Sequence, residues 1–424
     1  MRRTSRNLLH VVGGELLLRL ANIGVAVLIG RVYGVVLFGI YAAILAAATL
    51  AERLADNGLE MSGIAEGSRH PGLLDRIATA LYLNKTAFSL LAIGALAGVG
   101  WAMGLSRSHW PIATLLTLRT FLYSYCRLNA GFLKALDRTQ QIARIQFAHF
   151  LVLCVVIFFV YLSESSFPIL LFCLLMSQFA EFILSFWALR RFGVRLASVS
   201  VQSCLSLARR STPIGLTYTI STLMLRGDLL VLSLLANVGV VGAFAAADTG
   251  LVMVYVVAWL FSGVLLADLG RLSPKADEFD SHFRRCLNAI LLICIPLSIA
   301  ATLLAPLTIR LLYGGSFDAA GLPAAIMCAA VPLIFLNAAF LSRAVARNAA
   351  STCLTIYGVG AAFSLILNFF LGWRYGMRGI AISIVLRELG ITLAFLRLKN
   401  WVSAPVQAAS AANSDSAFAE VLNA

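Results

Sequence analysis

An all-α polytopic membrane protein is the fold that three features of the chain predict, with about twelve transmembrane helices in two pseudo-repeated six-helix lobes. The first feature is composition. Of 424 residues, 60% are hydrophobic and 12% charged, and the mean hydropathy is +0.90, which excludes an ordinary soluble domain. The second is patterning. Apolar runs of about 20 residues, one hydrocarbon thickness, recur along almost the whole length. No alternating polar–apolar strand pattern accompanies them, so helices rather than a barrel satisfy the backbone in lipid. The third is repetition. Leu128-Asn129-Ala130-Gly131-Phe132-Leu133 returns half a chain later as Leu336-Asn337-Ala338-Ala339-Phe340-Leu341. Gly39-Ile40-Tyr41-Ala42-Ala43 returns at a nearly equal offset as Gly242-Ala243-Phe244-Ala245-Ala246. Two echoes in one order point to a duplicated bundle.

The first lobe, residues 1–189, holds spans near 9–30, 38–60, 77–103, 110–132, 142–162 and 167–189. A linker at 190–211 mixes arginines with Leu196, Val199, Val201, Leu205 and Leu207. It reads as a connection held on the cytoplasmic side by its charges, with a second reading along the inner membrane surface. The second lobe, 212–400, holds spans near 212–236, 242–267, 286–310, 323–345, 352–372 and 379–399. Short turns with glycine join them, as at Tyr313-Gly314-Gly315 and Tyr375-Gly376. Residues 401–424 end in a small, polar stretch and read as a disordered cytoplasmic tail.

The excess of 33 Lys and Arg over 19 Asp and Glu gives +14. In a soluble protein that balance would suggest nucleic acid. Here the bases crowd alternate connections, as in Arg2-Arg3, Arg190-Arg191, Arg209-Arg210 and Arg284-Arg285. The opposite connections keep only Arg31, Arg107, Arg310, Arg374 and Arg378. Cytoplasmic retention accounts for this bias and puts both termini inside, with no nucleic-acid partner. The eight cysteines stand singly and form neither a disulfide framework nor a metal site. Glu15 and Arg19 interrupt the first apolar stretch, so it reads as an uncleaved span rather than a signal peptide.

Four stretches resemble one family. They are Gly30-Arg31-Val32-Tyr33-Gly34 through Phe38-Gly39-Ile40-Tyr41 with Ala55-Asp56-Asn57-Gly58-Leu59, and Thr212-Pro213-Ile214 through Arg226-Gly227-Asp228 and Val241 to Ala247. The others are Ala305-Pro306 through Leu311-Leu312-Tyr313-Gly314-Gly315-Ser316-Phe317 to Ala320, and Tyr375-Gly376-Met377-Arg378-Gly379-Ile380-Ala381. Their order is similar to that of the lipid-linked polysaccharide flippases, the Wzx-type O-antigen and exopolysaccharide exporters. These belong to the multidrug/oligosaccharidyl-lipid/polysaccharide superfamily, together with the MATE antiporters. The resemblance implies a MATE-like fold whose lobes enclose a central cavity opened alternately to each side. It also implies a polyprenyl-pyrophosphate-linked oligosaccharide as cargo. The motifs are turn and packing residues, so they carry a fold better than a binding site.

The charges within the spans are read independently of that resemblance. The bases are Arg19, Arg53, Lys85, Arg119, Arg127, Arg226 and Arg387; the acids are Glu15, Glu52, Asp56, Glu181, Asp228, Asp248 and Glu388. A charge at mid-helix costs roughly 2.5–3.5 kcal/mol on the insertion scale, so these groups should face a cavity or one another. Mutual pairing is the plain reading. It suits Glu15 with Arg19 and Arg53 with Asp56, each one turn apart. Arg387 and Glu388, as neighbours, should point apart. The third and fourth spans carry Lys85, Arg119 and Arg127 without an acid of their own. Those three, with Arg19, are the candidate pyrophosphate-binding cations, and Glu181 and Asp228 are the candidate ion-coupling acids. His149, within an apolar span, reads as a hydrogen-bonding partner of a neighbouring helix.

No Walker loop or metal-binding His-Glu-x-x-His occurs, so neither an enzyme nor a cofactor is expected. The first reading is therefore a flippase in the bacterial inner membrane, moving a lipid-linked glycan for polysaccharide, O-antigen or lipopolysaccharide export. Its expected partners are the glycan carrier, membrane lipid and polysaccharide polymerase or export proteins. The alternatives are a MATE-like drug or cation antiporter and a membrane-embedded glycan polymerase or ligase. The short outer connections leave little room for the large catalytic loop of the last.

Overall fold

In the computed structural model, which describes residues 2–102, 106–163, 165–272, 276–347 and 349–397, the chain is helical with short connections. The expected tail at 401–424 lies outside the described residues. Among the described residues twelve α-helices follow one another: α1 (Arg2–Asp56), α2 (Leu59–Arg69), α3 (Leu74–Ala102), α4 (Trp110–Ala135), α5 (Thr139–Ser163), α6 (Phe167–Arg191), α7 (Val201–Leu235), α8 (Val238–Leu272), α9 (Ala276–Tyr313), α10 (Gly321–Cys328), α11 (Val331–Ala346) and α12 (Ala350–Arg397). Among the described residues, eight helices are long and apolar enough to cross a membrane, or nine with the bent pair of α10 and α11.

The two longest helices each contain two of the expected spans. Glycine makes the breaks: Gly34 has φ 81° in α1, and Gly376 has φ 59° in α12. Gly314, which ends α9, has φ 92°. Each follows a tyrosine, and each takes a backbone conformation that a side chain would strain. The remaining expected span is α4, whose Arg119, Arg127 and Lys134 interrupt its apolar pattern. With these assignments every expected span falls on observed helices, and α2 continues the second of them beyond its expected end.

The residues fall into two compact units. Of the described residues, one takes 2–28 and Ile44–Thr222; the other takes Ile29–Ala43 and 223–397. The bend of α1 thus belongs with the C-terminal helices.

In the first unit, α4 and α6 pack side by side, with α5 against α6 and α2 against α4. A buried apolar cluster includes Leu59, Ile77, Leu81, Leu128, Phe132 and Leu207. Leu207 brings the segment after α6 into this cluster, and its residues from Val201 onward are the first turns of α7. Ser200 caps that helix, accepting from the Ser203 amide at 3.2 Å. The segment is also pinned to α3: Arg195 N donates to Asp75 Oδ1 at 2.8 Å, and Ala197 N to Thr79 Oγ1 at 2.9 Å. Leu205 and Val201 remain exposed.

In the second unit, the two echoed glycines meet. A Cβ on Gly39 would come 2.0 Å from Val238 O, and one on Gly242 would come 2.0 Å from Val35 O. The backbones touch there, as small residues allow in membrane helices. Phe38 packs beside this crossing on Tyr313 and Phe317, with ring centroids 5.7 and 6.0 Å away. Three of the sequence motifs thus meet as packing residues around the α1 bend.

Candidate functional site

The first unit buries a ladder of charges across α1, α2, α3 and α4. Glu52 and Asp56 lie one turn apart on α1, and Glu60 follows on α2 past the left-handed residues Asn57 and Gly58, with Arg127 reaching both Glu52 and Glu60. On α4, Arg119, Tyr123 and Arg127 repeat the same spacing. Arg127 Nε donates to Glu60 Oε2 at 2.8 Å, and Arg127 Nη1 lies 3.8 Å from Glu52 Oε1. Ser124 donates to Glu52, and Lys85 Nζ to Asp56. Lys85 is 1% exposed, so this ion pair is fully withdrawn from solvent.

These contacts revise several sequence expectations. Asp56 does not take Arg53 on its own helix; it takes Lys85 of α3, while Arg53 Nε lies 3.7 Å from Glu52. Lys85 and Arg127, without an acid on their own spans, receive theirs from α1 and α2. Glu60 was not among the candidates; the left-handed break at Asn57 and Gly58 takes it out of the spacing of Glu52 and Asp56. Arg19 does meet Glu15, through Nη2 at 2.8 Å.

Arg119 differs from the other two α4-side cations. Its side chain is nearly buried, and Nη2 donates to Asn22 Oδ1 at 2.9 Å. Nε is buried without a hydrogen-bond partner. Among the described residues, no carboxylate lies within ion-pair distance of this guanidinium. A buried cation of this kind retains unmatched donors and positive potential, the requirements for holding an anion.

One and two turns further along α4 from Arg119, a small cleft of about 40 Å³ is lined by Tyr123, Arg127, Gln146, Glu181 and Ser185, among others. Glu181 Oε2 lies 2.8 Å from His149 Nδ1 and accepts from Gln178. The expected hydrogen bond of His149 to a neighbouring helix is the one between its Nε2 and Ser177 Oγ of α6 at 3.4 Å, with Glu181 beside its Nδ1. Asn129, wholly buried, ties the wall together: it donates to Ser185 Oγ at 2.8 Å and accepts from Tyr82.

The second unit contains a closed polar knot. Arg387, 1% exposed, donates from Nη1 to Asp228 at 3.0 Å, to Ser364 Oγ at 3.2 Å and to Met224 O at 2.8 Å. Its Nη2 donates to Tyr255 at 2.8 Å, and its Nε lies 3.1 Å from Glu388 Oε1. The neighbours expected to point apart thus meet, because Arg387's long side chain folds back alongside Glu388. Asp228 accepts further from Asn368 Nδ2 at 2.6 Å. Asn337 donates to Glu388 Oε2 at 2.9 Å and accepts from Thr392 at 2.8 Å. Asp248 lies 3.7 Å from Arg226. Asp228 is thus an ion-pair partner with its carboxylate already occupied.

Helices of this number, length and hydropathy, with charged pairs buried among them, define a polytopic α-helical membrane protein. The chain belongs to the polysaccharide biosynthesis protein family, whose profile matches residues 5–266. Solved structures similar to it include an inward closed lipid II flippase MurJ, with TM-score 0.75, 14% identity, and 92% of this chain and 87% of that one covered. A superfamily transporter from Pyrococcus furiosus gives 0.64, 13%, 96% and 96%. A Vibrio cholerae MATE transporter gives 0.64, 12%, 94% and 97%. No curated protein matches the sequence.

Proposed function

We propose that the chain is a flippase carrying a polyprenyl-pyrophosphate-linked oligosaccharide across the bacterial inner membrane by alternating access, for polysaccharide export. Both termini are cytoplasmic in this reading, the protein makes and breaks no covalent bond, and the lipid-linked glycan comes from and passes to separate assembly enzymes. The observation that carries it is Arg119, a nearly buried guanidinium with an unpartnered Nε and no carboxylate beside it. It lies ~14 Å into α4 at the helical rise, the depth a lipid headgroup must pass. A guanidinium offers phosphate oxygens a planar fork of donors, and a low dielectric strengthens the contact. Lys85 and Arg127 support this wall with their charges already balanced. The membrane potential favours the outward step: each negative charge leaving a negative interior gains about 2.3 kcal/mol per 100 mV.

The antiporter alternative favours an uncompensated acid in the first unit. There, Glu52, Asp56, Glu60 and Glu66 each have Lys or Arg within ion-pair distance, and only Glu181, beside His149, lacks a fixed cation. Complementation of surface-glycan export, normalised to protein in the membrane, tests the flippase reading. Arg119→Ala should abolish export at normal abundance, and Arg119→Lys should keep part of it, since charge survives without the bidentate geometry. Full export by Arg119→Ala at normal abundance removes Arg119 from the site.

A further inference from the structure

Arginines gather at one end of the second unit, where α9 begins and α11 ends. Arg343 and the C-cap residue Arg347 stand one turn apart on α11, a spacing at which like charges repel. Both reach the same oxygen of one carboxylate: Asp280 Oδ1 of α9 accepts from Arg343 Nη2 at 3.0 Å and lies 3.5 Å from Arg347 Nη2. Among the described residues, no second carboxylate lies within ion-pair distance of either guanidinium. Arg284, one turn beyond Asp280, is exposed and adds a third guanidinium within electrostatic reach of Arg343. Asp277 and Glu278 open α9 but are exposed, so solvent screens them. The cluster carries more positive charge than Asp280 offsets.

Two phenyl rings hold the pair in place. Arg343 lies over Phe283, its guanidinium carbon 4.8 Å from the ring centroid, and Arg347 lies over Phe279 at 4.4 Å. Both rings are buried, and Phe283 packs on Phe340 with centroids 5.8 Å apart, so the seats are firm. A guanidinium stacked on its flat face points its N–H edge elsewhere, and one carboxylate oxygen cannot satisfy two such edges. Arg343 Nε is buried and has no hydrogen-bond partner. The two side chains keep 14% and 23% exposure, enough for a ligand to reach them and too little for water to screen them fully. A clasp between α9 and α11 needs one arginine; the second is left with a charge to place.

We infer that Arg343 and Arg347 form a phosphate-binding site at this end of the second unit, and that its occupant is the headgroup of an anionic lipid. Phosphate oxygens accept from guanidinium edges two at a time, and one negative charge completes the balance that Asp280 leaves half made. The lipid source follows from the same helix. Two turns on from Arg284 and Arg285, α9 exposes Leu291, Leu292 and Ile293, a surface for the acyl chains below such a headgroup. A lipid held there fastens the start of α9 to the end of α11. Such a site is independent of the cargo the protein carries.

The test uses the full chain purified in a neutral detergent, with dioleoylphosphatidylglycerol, dioleoylphosphatidylcholine and inorganic pyrophosphate as probes. Affinity is read from the rise of the thermal midpoint with probe concentration. Phosphatidylglycerol should raise the midpoint of wild type, and phosphatidylcholine should not. Arg343→Lys combined with Arg347→Lys keeps the charge and loses the planar fork. Its affinity for phosphatidylglycerol should fall at least about tenfold, the weight of one charge-assisted hydrogen bond. Asp280→Asn removes the competing carboxylate, so affinity should rise. A shift with pyrophosphate alone keeps the phosphate site and overturns the lipid as its source. No shift with either anion, or equal shifts in wild type and the lysine variant, overturns the site. So does an Asp280→Asn protein with a lowered midpoint and unchanged affinity, the result a closed ion pair would give.

Discussion

Asn129 and Asn337 are copies of one residue in the duplicated segment, and each ties its helix to a hydroxyl one turn beyond a buried glutamate. Asn129 bonds Ser185, four residues after Glu181; Asn337 bonds Thr392, four residues after Glu388. Around Glu388 the space is filled by Arg387, Tyr255 and Asn337. Around Glu181 there is an imidazole, an amide and an open cleft. The same scaffold is closed by a fixed cation in one unit and left adjustable in the other. A buried network with every partner matched specifies a rigid core, whereas one with spare donors and a titratable partner can respond to a ligand.

The largest expected effect lies on the closed side. Arg387→Ala strands Asp228 and Glu388 without a counter-charge, and breaking a buried pair in this way costs about 3–5 kcal/mol. Membrane abundance and the thermal midpoint of the purified protein should both fall sharply. Normal values for both would mean that the second unit is no more dependent on its ion pairs than the first.

Next in size is the glycine crossing within the second unit. Gly39→Ala or Gly242→Ala drives a methyl into a backbone carbonyl 2.0 Å away, so α1 and α8 must part. Overpacking of this kind costs typically about 1–3 kcal/mol. Gly250, on α8 as well, has nothing within 4 Å of its would-be Cβ. Gly250→Ala should therefore leave stability unchanged or raise it by up to about 1 kcal/mol through helix propensity. Thermal unfolding that ranks the three substitutions alike would remove the crossing as a distinctive contact.

These contrasts mark what a sequence can carry. The spans were legible because each needs a fixed length of apolar chain, and the breaks at Gly34, Gly314 and Gly376 were legible as tyrosine–glycine turns. Glu15 with Arg19 was legible because both partners lie on one helix. The remaining pairings depended on which helices become neighbours. Asp56 has Arg53 one turn away and still takes Lys85, because the buried ammonium on α3 would otherwise have no anion. Arg387 and Glu388 meet although adjacent side chains leave a helix about 100° apart, because a long guanidinium can bend back over its own turn. The start of α7 was hidden by its charge: Arg209 and Arg210 read as linker, while Ser200 as cap and Leu207 in the apolar cluster were the signals of a helix.

The smallest effect should come from Glu15 and Arg19, a half-exposed pair one turn apart on α1 in the first unit. Their side chains are 31% and 37% exposed, and an ion pair of this spacing contributes only about 0.3–0.5 kcal/mol. Glu15→Gln should therefore leave the thermal midpoint within a degree or so of wild type, about what so small a free energy moves. It also separates two roles for Arg19, whose Nε is buried without a hydrogen-bond partner. If Arg19 serves the passing anion, Glu15→Gln removes the competing carboxylate, so export per unit of protein should hold or rise, while Arg19→Ala should lower it at unchanged abundance. If the pair only neutralises itself within the membrane, both substitutions should leave export alone. Equal export by Glu15→Gln, Arg19→Ala and wild type would leave Arg119 as the single cation of this wall with an unmet demand for an anion.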